Sequence, residues 1–386
     1  MDRNIFFTGL TSFLTDTSTK MVYSVMPLFL LSLGASKTTL SLIEGIAEST
    51  ASLLKALSGF WSDKIGKKKP FMIFGYSLTA LITPVYAFVI TPFQVLVFRF
   101  IERIGKGIRT APRDSLISGS MNENEAGKSF GFHKAMDNSG AIIGPLFAGL
   151  LLFIFPTSFK YVFLFSSVPA FMGALTLVFF IREIQVKRIE GQQKMSVRGL
   201  SKKFMYFLII MFVFSLGNST DALLLVKTSE SGVKDSYVPF LYMLFNMVAV
   251  LLAIPAGKLS DKMGRGRLIV LGFLIYALVY IIFGSFNNIK VFAVAFVLYG
   301  CYSALADSAQ KALVADIVGT EVKGTGFGLY HAVLGISLLP ASLITGLLYD
   351  KVNSAAPFYF GAIMALLAAL LMAMFTINLK VRETGL

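Results

Sequence analysis

Long apolar runs separated by short polar patches recur along the entire chain, and many reach eighteen or more residues. A run of that length crosses roughly 30 Å of hydrocarbon as a helix. The pattern predicts about twelve spans, near 5–33, 37–61, 70–90, 93–118, 127–155 and 158–181, then 204–227, 236–260, 267–286, 289–315, 323–349 and 356–379. The longest polar stretch, Arg182 to Lys203, is rich in Lys, Arg and Gln with little apolar periodicity. The predicted fold is an all-α membrane protein with a six-helix bundle at 1–181, a cytoplasmic basic linker at 182–203 and a second six-helix bundle at 204–386.

The two halves repeat each other. Gly59-Phe-Trp-Ser-Asp63-Lys-Ile-Gly66-Lys-Lys and Gly257-Lys-Leu-Ser-Asp261-Lys-Met-Gly264-Arg265-Gly-Arg267 each join two apolar segments. Gly127-Lys-Ser-Phe-Gly131 matches Gly324-Thr-Gly-Phe-Gly328 without gaps, and Gly149-Leu-Leu matches Gly346-Leu-Leu. Both matches share an offset of 197 or 198 residues, which marks an internal duplication. Each half has an even number of spans, so both enter the membrane in the same sense. Such a parallel repeat is one of the plans on which alternating-access carriers are built.

Composition agrees: 55% of residues are hydrophobic, and the mean hydropathy is +0.73, more apolar side chain than one soluble core buries. The net charge of +14 raises nucleic acid as a partner. Its distribution argues otherwise, since Lys and Arg concentrate in alternate connecting loops, at Arg3, Lys64–Lys69, Lys128, Arg182–Lys203, Lys262–Arg267, Lys323, Lys380 and Arg382. The opposite loops hold only Lys37, Lys160, Lys234, Lys290 and Lys351. By the positive-inside rule both termini are expected in the cytoplasm, in a cell (inner or plasma) membrane. The first apolar stretch outlasts a signal-peptide core and has no small-residue cleavage site, so it is expected to stay as the first helix. One cysteine, Cys301, supports neither a disulfide framework nor a Cys-rich metal site, and no metal or cofactor is expected.

Charges within the spans are the candidate chemistry. A charged residue at the centre of a lipid-facing helix costs roughly 2.5–3.5 kcal/mol. Yet Arg99, Glu102, Arg103, Lys106, Arg109 and Arg113 follow at steps of three or four along the fourth span, on or near one helical face. That stripe must line an aqueous path or be paired. The repeat offers a comparison: Arg99, Arg103, Lys106 and Arg113 fall at Phe296, Gly300, Ser303 and Gln310 in the second half. Charges present in one half only are better candidates for chemistry than for shared scaffold. Arg99, Arg103 and Lys106 are read as cavity residues, while Arg109 and Arg113, near the inner end, could equally tie the helix to neighbours. Asp137 on the fifth span is expected to stand opposite Lys106 and Arg109, with His133 one turn earlier. Asp16 and Asp221 lie inside the first and seventh spans; for Asp16 an intrahelical pair with Lys20 is the plain alternative. Glu44, Glu48 and Lys55 form a second polar stripe, and Asp307 and Lys311 another.

The paired Gly-x-x-x-Asp-x-x-Gly signatures, with the parallel repeat, make the chain resemble the major facilitator superfamily along its whole length. In the first copy Trp61 replaces the usual Leu, and lysines replace Arg. The resemblance implies a gating role for Gly59, Asp63 and Gly66 and for Gly257, Asp261, Gly264 and Arg265, the two aspartates accepting hydrogen bonds at a neighbouring helix end. It places helices one and seven beside a central cavity, which keeps Asp16 and Asp221 as site candidates. It matches Arg99, Gly105 and Gly107 to an efflux-type helix-four motif, although Arg103 stands where that motif has a glycine. Gly140-x-x-x-Gly144-Pro145-x-x-x-Gly149 resembles the antiporter motif of helix five, where small residues let helices approach and proline lets one bend.

The expected function is therefore proton-coupled secondary transport of a small organic solute by alternating access, as an antiporter or exporter. Import or exchange of an organic or lipid-like anion is the alternative, since the basic stripe attracts phosphate or carboxylate. The expected partners are a small-molecule substrate, anionic or amphiphilic in the second reading, protons and the bilayer, with no nucleic acid and a monomeric protein. No Gly-x-x-x-x-Gly-Lys-[Ser/Thr] loop provides an ATP engine, and neither Gly-x-Ser-x-Gly nor His-Glu-x-x-His supports a membrane enzyme. A non-transporting receptor or scaffold is a third class, which the intramembrane charges disfavour.

Overall fold

A computed structural model describes residues 2–120, 126–156, 158–184, 201–218, 220–318 and 323–384. Most of the expected linker lies outside the described residues, as do the side chains of Asp63 and Asp261. The chain divides into two compact units, one of residues 1–192 with 233–243, the other of 193–232 with 244–386.

The first unit contains α1 (Arg3–Ser32), α2 (Lys37–Ile65), α3 (Lys69–Ile82) continued by a 3₁₀ turn (Thr83–Phe88), α4 (Pro92–Ser120), α5 (Ala126–Ile154) and α6 (Phe159–Phe180). The third span was expected as one helix. Pro84 has no N–H to give an α-helical bond, so the segment tightens into the 3₁₀ turn at that point. Helix α1 packs on α5 and α6, α2 on α4, and α3 on α4 and α6. Met72, Tyr76, Ala80, Leu116, Ala170, Ala174 and Leu177 close the core where α3, α4 and α6 meet. Close approach of α1 and α5 depends on Gly140 and Gly144, as the small-residue spacing predicts. A Cβ at Gly144 would lie 2.5 Å from the Thr17 carbonyl, and one at Gly140 would lie 2.7 Å from that of Phe13.

The second unit contains α7 (Lys202–Gly217), α8 (Ala222–Glu230), α10 (Arg265–Ser285), α11 (Ile289–Ile317), α12 (Lys323–Lys351) and α13 (Ala356–Thr384), with most of α9 (Val238–Met263). Helix α10 packs on α11 and α13, and α7 on α12 and α13. The seventh span, expected as one helix, is broken between α7 and α8. There Thr220 Oγ1 accepts from the Ala222 N–H at 3.2 Å, and Asn218 caps α7. Short polar side chains that bond to nearby backbone compete with the helical ladder.

Among the described residues thirteen α-helices thus alternate with turns, α7 and α8 standing in place of one expected span, and α4 and α5 recur as α11 and α12 at an offset of 197 residues. Gly66 (φ 74°) and Gly264 (φ 88°), matched positions in the two signatures, both hold left-handed φ values that favour glycine. Among the described residues nine helices are long and apolar enough to cross a membrane. The three that fall short, α1, α2 and α4, carry the polar and charged residues considered next. Large apolar side chains point outward, including Ile90, Phe93, Phe179 and Ile254, as suits a protein solvated by lipid.

Candidate functional site

Helix α4 cannot bury its charges against lipid, and in the fold successive charges turn to different neighbours. Arg99, fully enclosed, grips Glu44 of α2 with two bonds: Nε donates to Oε1 and Nη2 to Oε2, both at 3.0 Å. Its Nη1 donates to Glu102 Oε2 at 3.0 Å, and the Tyr86 hydroxyl donates to that same oxygen at 2.9 Å. The guanidinium carbon lies 5.4 Å from the Tyr23 ring centroid. The planar fork of arginine suits such a bidentate, enclosed pair, where lysine offers only a point charge.

One turn further, Arg103 Nη2 lies 2.9 Å from Glu48 Oε1, and Lys106 Nζ lies 3.8 Å from Glu48 Oε2. Three cations face three carboxylates, so this part of the stripe is formally neutral. Its two ends differ in access: the Arg99 side chain is 0% exposed and that of Lys106 46%.

Arg109 turns instead toward α3. Its Nη1 donates to Thr79 Oγ1 at 2.7 Å, and its guanidinium carbon sits 4.2 Å from the Tyr76 ring centroid. Arg113 reaches the α1–α5 side. Its Nε and Nη2 donate to Asp114 Oδ1 at 3.1 and 2.9 Å, its Nη1 donates to Ser12 Oγ at 3.3 Å, and Nη1 lies 3.8 Å from Asp137 Oδ2. Ser12 Oγ also lies 2.9 Å from His133 Nε2 and 3.2 Å from the Tyr76 hydroxyl. His133 Nδ1 is 3.7 Å from Asp137 Oδ2. Asp137 Oδ1 is buried with no hydrogen-bond partner.

The placement of Asp137 corrects the sequence expectation. Rotation along α4 directs Lys106 to α2 and Arg109 to α3, so the cation that meets Asp137 is Arg113. Nor is Asp16 paired with Lys20: among the described residues its half-buried carboxylate has no ion pair and no hydrogen bond. Glu44 and Glu48 carry more of the site than their reading as a plain polar stripe suggested. A signal was present, because their spacing of four matches that of Arg99 and Arg103. Ser12, Tyr76, Thr79 and Tyr86, neutral polar residues, gave none.

In the second unit Asp221 stands at the α7–α8 break, where the Tyr299 hydroxyl donates to its Oδ1 at 2.7 Å. The Tyr276 hydroxyl donates to the Gly217 carbonyl at 3.0 Å, beside the stacked rings of Tyr299 and Tyr302. Asp307 is exposed on α11, accepting from Ser303 Oγ at 3.0 Å. Arg265 pairs with Asp316. Gly59 and Gly257 lie in the last turns of α2 and α9, while Pro145 and Gly149 continue α5 beyond Gly144. Among the described residues a carboxylate does meet a helix N-terminus at the start of α3, where Glu183 accepts from the Lys68 and Lys69 N–H groups at 2.9 and 3.0 Å.

Two repeated helical units with apolar exteriors, one of them carrying a row of enclosed charges, define a multi-pass membrane transporter. The chain belongs to the Major Facilitator Superfamily, whose sequence profile matches residues 8–228 and 205–385. It is 32% identical over 378 residues to an uncharacterized MFS-type transporter of Methanocaldococcus jannaschii, covering 96% of this chain and 94% of the relative. It is 23% identical over 285 residues to the multi-drug resistance efflux pump PmrA of Streptococcus pneumoniae, covering 70% of each. Among solved structures, a variant of the nucleoside transporter NupG superposes with a TM-score of 0.80 at 13% identity, over 97% of this chain and 99% of that one.

Proposed function

We propose that this secondary transporter is a proton-coupled antiporter that exports a small organic solute, its two repeats exposing a site alternately to the two sides of the membrane. The observation that carries the reading is Asp137, a carboxylate with one oxygen near Arg113 and His133 and the other buried and unsatisfied. One guanidinium here serves two carboxylates, Asp114 and Asp137. A proton on Asp137 removes the uncompensated charge from the bare oxygen and weakens the pull on Arg113, giving two arrangements that proton binding can bias. The tight α1–α5 crossing at Gly140 and Gly144 and the kinship to an efflux pump support export. The alternation of basic loops supports a cell membrane location with both termini cytoplasmic, and the protein is taken as a monomer.

One observation favours a second reading, uptake or exchange of an organic or amphiphilic anion: Lys106 presents an ammonium at the open end of the stripe. The neutrality of the Arg99–Arg103–Lys106 group with its three glutamates weighs for the first.

The test is transport in liposomes carrying an imposed pH gradient, with ethidium as a hydrophobic cation and dodecanoate as an amphiphilic anion. The wild-type protein is expected to move ethidium against its gradient. Asp137→Asn should abolish that movement while leaving downhill exchange and the folded protein intact. Undiminished pH-driven transport by the variant overturns the role of Asp137, and movement of dodecanoate alone replaces the first reading by the second.

A further inference from the structure

The first unit carries a groove of about 680 Å³ that has no part in the ion cluster. It runs along the outward face of α3, where Ile73, Phe74, Leu78 and Leu81 form its floor and Lys67 and Lys69 stand at its loop end. Phe74 and Leu81 are each more than half exposed, so this wall belongs to the lipid-facing surface. Glu183 also borders the groove, yet its two oxygens are engaged by the Lys68 and Lys69 N–H groups, which sets its charge on the helix terminus. Lys69 Nζ donates to the Val178 carbonyl at 2.9 Å, which holds that ammonium at the groove's mouth. Lys67 is exposed and makes no ion pair among the described residues.

The repeat supplies a second observation. In the other unit a smaller groove of about 220 Å³ lies between the start of α10 and the end of α13, bordered by Val270, Ala373 and Ile377, with Arg267 at its mouth. Arg267 occupies the position of Lys69 in the paired signatures. An apolar channel ending in a cation therefore recurs at the same place in both halves.

The geometry points to a binding site for one anionic diacyl phospholipid in the α3 groove, its acyl chain along Phe74, Leu78 and Leu81 and its phosphate between the ammonium groups of Lys67 and Lys69. The chemistry matches at both ends. The floor is apolar over the depth of a leaflet, and basic pockets at the ends of membrane helices recognise anionic headgroups. The headgroup would sit on the loop that joins α2 to α3, the loop containing Gly66. Occupancy is thus expected to stiffen that loop.

The test measures thermal stability and bound lipid by native mass spectrometry on the full chain in detergent. Phosphatidylglycerol, phosphatidylcholine and soluble glycerol 3-phosphate are added in separate arms. Phosphatidylglycerol should raise the melting temperature by several degrees more than phosphatidylcholine and should remain bound at one copy. Glycerol 3-phosphate should do neither. The double variant Lys67→Gln/Lys69→Gln should lose more than half of the difference between the two lipids. Because Lys69 also bonds to α6, the single variant Lys67→Gln, which disturbs no packing, should lose a measurable part alone. Equal shifts from the two lipids, an unchanged difference in the variants, or a full shift from glycerol 3-phosphate overturns the proposal.

Discussion

The same stretch of helix is built in two chemistries in the two halves. In the first unit Tyr86, Arg99 and Glu102 form a charged, hydrogen-bonded group with Glu44. At the matching positions of the second unit stand Phe283, Phe296 and Tyr299, with the Phe283 and Phe296 rings edge-to-face at 5.5 Å. Farther along, Arg109, Arg113, His133 and Asp137 give way to Ala306, Gln310, Tyr330 and Leu334. The helices keep their lengths and offset through this exchange. The fold therefore does not need the charges. Aromatic rings, with one hydrogen bond from Tyr299 to Asp221, occupy the matching place, and a buried ion pair is on average no more stabilising than well-packed apolar residues. The charges are an addition to a scaffold that stands without them, which is the physical ground for the proposal that proton coupling is carried by the first half.

The strongest way to break this comparison is at Arg99. Arg99→Leu leaves Glu44 and Glu102 enclosed without their cation, and uncompensated buried charge costs about 3–5 kcal/mol. A large fall in the melting temperature of the detergent-solubilised protein is expected. Removing the ions together, with Arg99→Phe and Glu102→Tyr taken from the second unit and Glu44→Leu to neutralise their partner, should recover most of that loss. If the triple variant melts as low as the single one, the two halves are not interchangeable scaffolds.

Much of this plan was legible along the chain, because it rests on periodicity and on self-similarity. The apolar runs located α11 and α12, the offset between the halves matched them to α4 and α5, and the paired signatures marked Gly66 and Gly264 as equivalent positions, whose left-handed φ values the fold adds. The stripe on α4 was visible as spacing. Its partners were not, since a helix shows which residues share a face but not which neighbour that face meets. Arg99 and Glu44 are 55 positions apart, and only the α2–α4 packing joins them. The turn of Asp137 toward Arg113 depends on the crossing of α1, α4 and α5. The break in the seventh span did carry a signal, the polar run Gly217-Asn218-Ser219-Thr220-Asp221 inside an apolar stretch; Thr220 Oγ1 there accepts from the Ala222 N–H, while the Asn218 side chain meets the hydroxyls of Tyr276 and Tyr302.

A milder probe separates stability from coupling. The Tyr330 hydroxyl donates to Gln310 Oε1 at 2.8 Å in the place that His133 and Arg113 hold in the first half. Tyr330→Phe leaves a buried amide oxygen without a donor, a loss of about 1–2 kcal/mol. The melting temperature should drop while pH-driven transport in liposomes keeps its wild-type dependence on the gradient. A change in that dependence would place proton chemistry in both halves and dissolve the asymmetry.

The smallest effect is expected at the end of the second signature, where Arg265 pairs with Asp316. Its side chain is 31% exposed and that of Asp316 48%, so water screens the attraction, and such pairs contribute about 0–1 kcal/mol. Arg265→Ala should therefore shift the melting temperature little, and less still at high salt, where exposed pairs are screened further. Transport is the informative readout. A gating contact that forms in one state and opens in the other biases their populations by its differential energy alone, so about 1 kcal/mol changes the ratio of states roughly fivefold. An altered transport rate at unchanged stability assigns Arg265 to gating. Unaltered transport leaves its pair with Asp316 as a surface contact, and the gate then rests on the other signature residues.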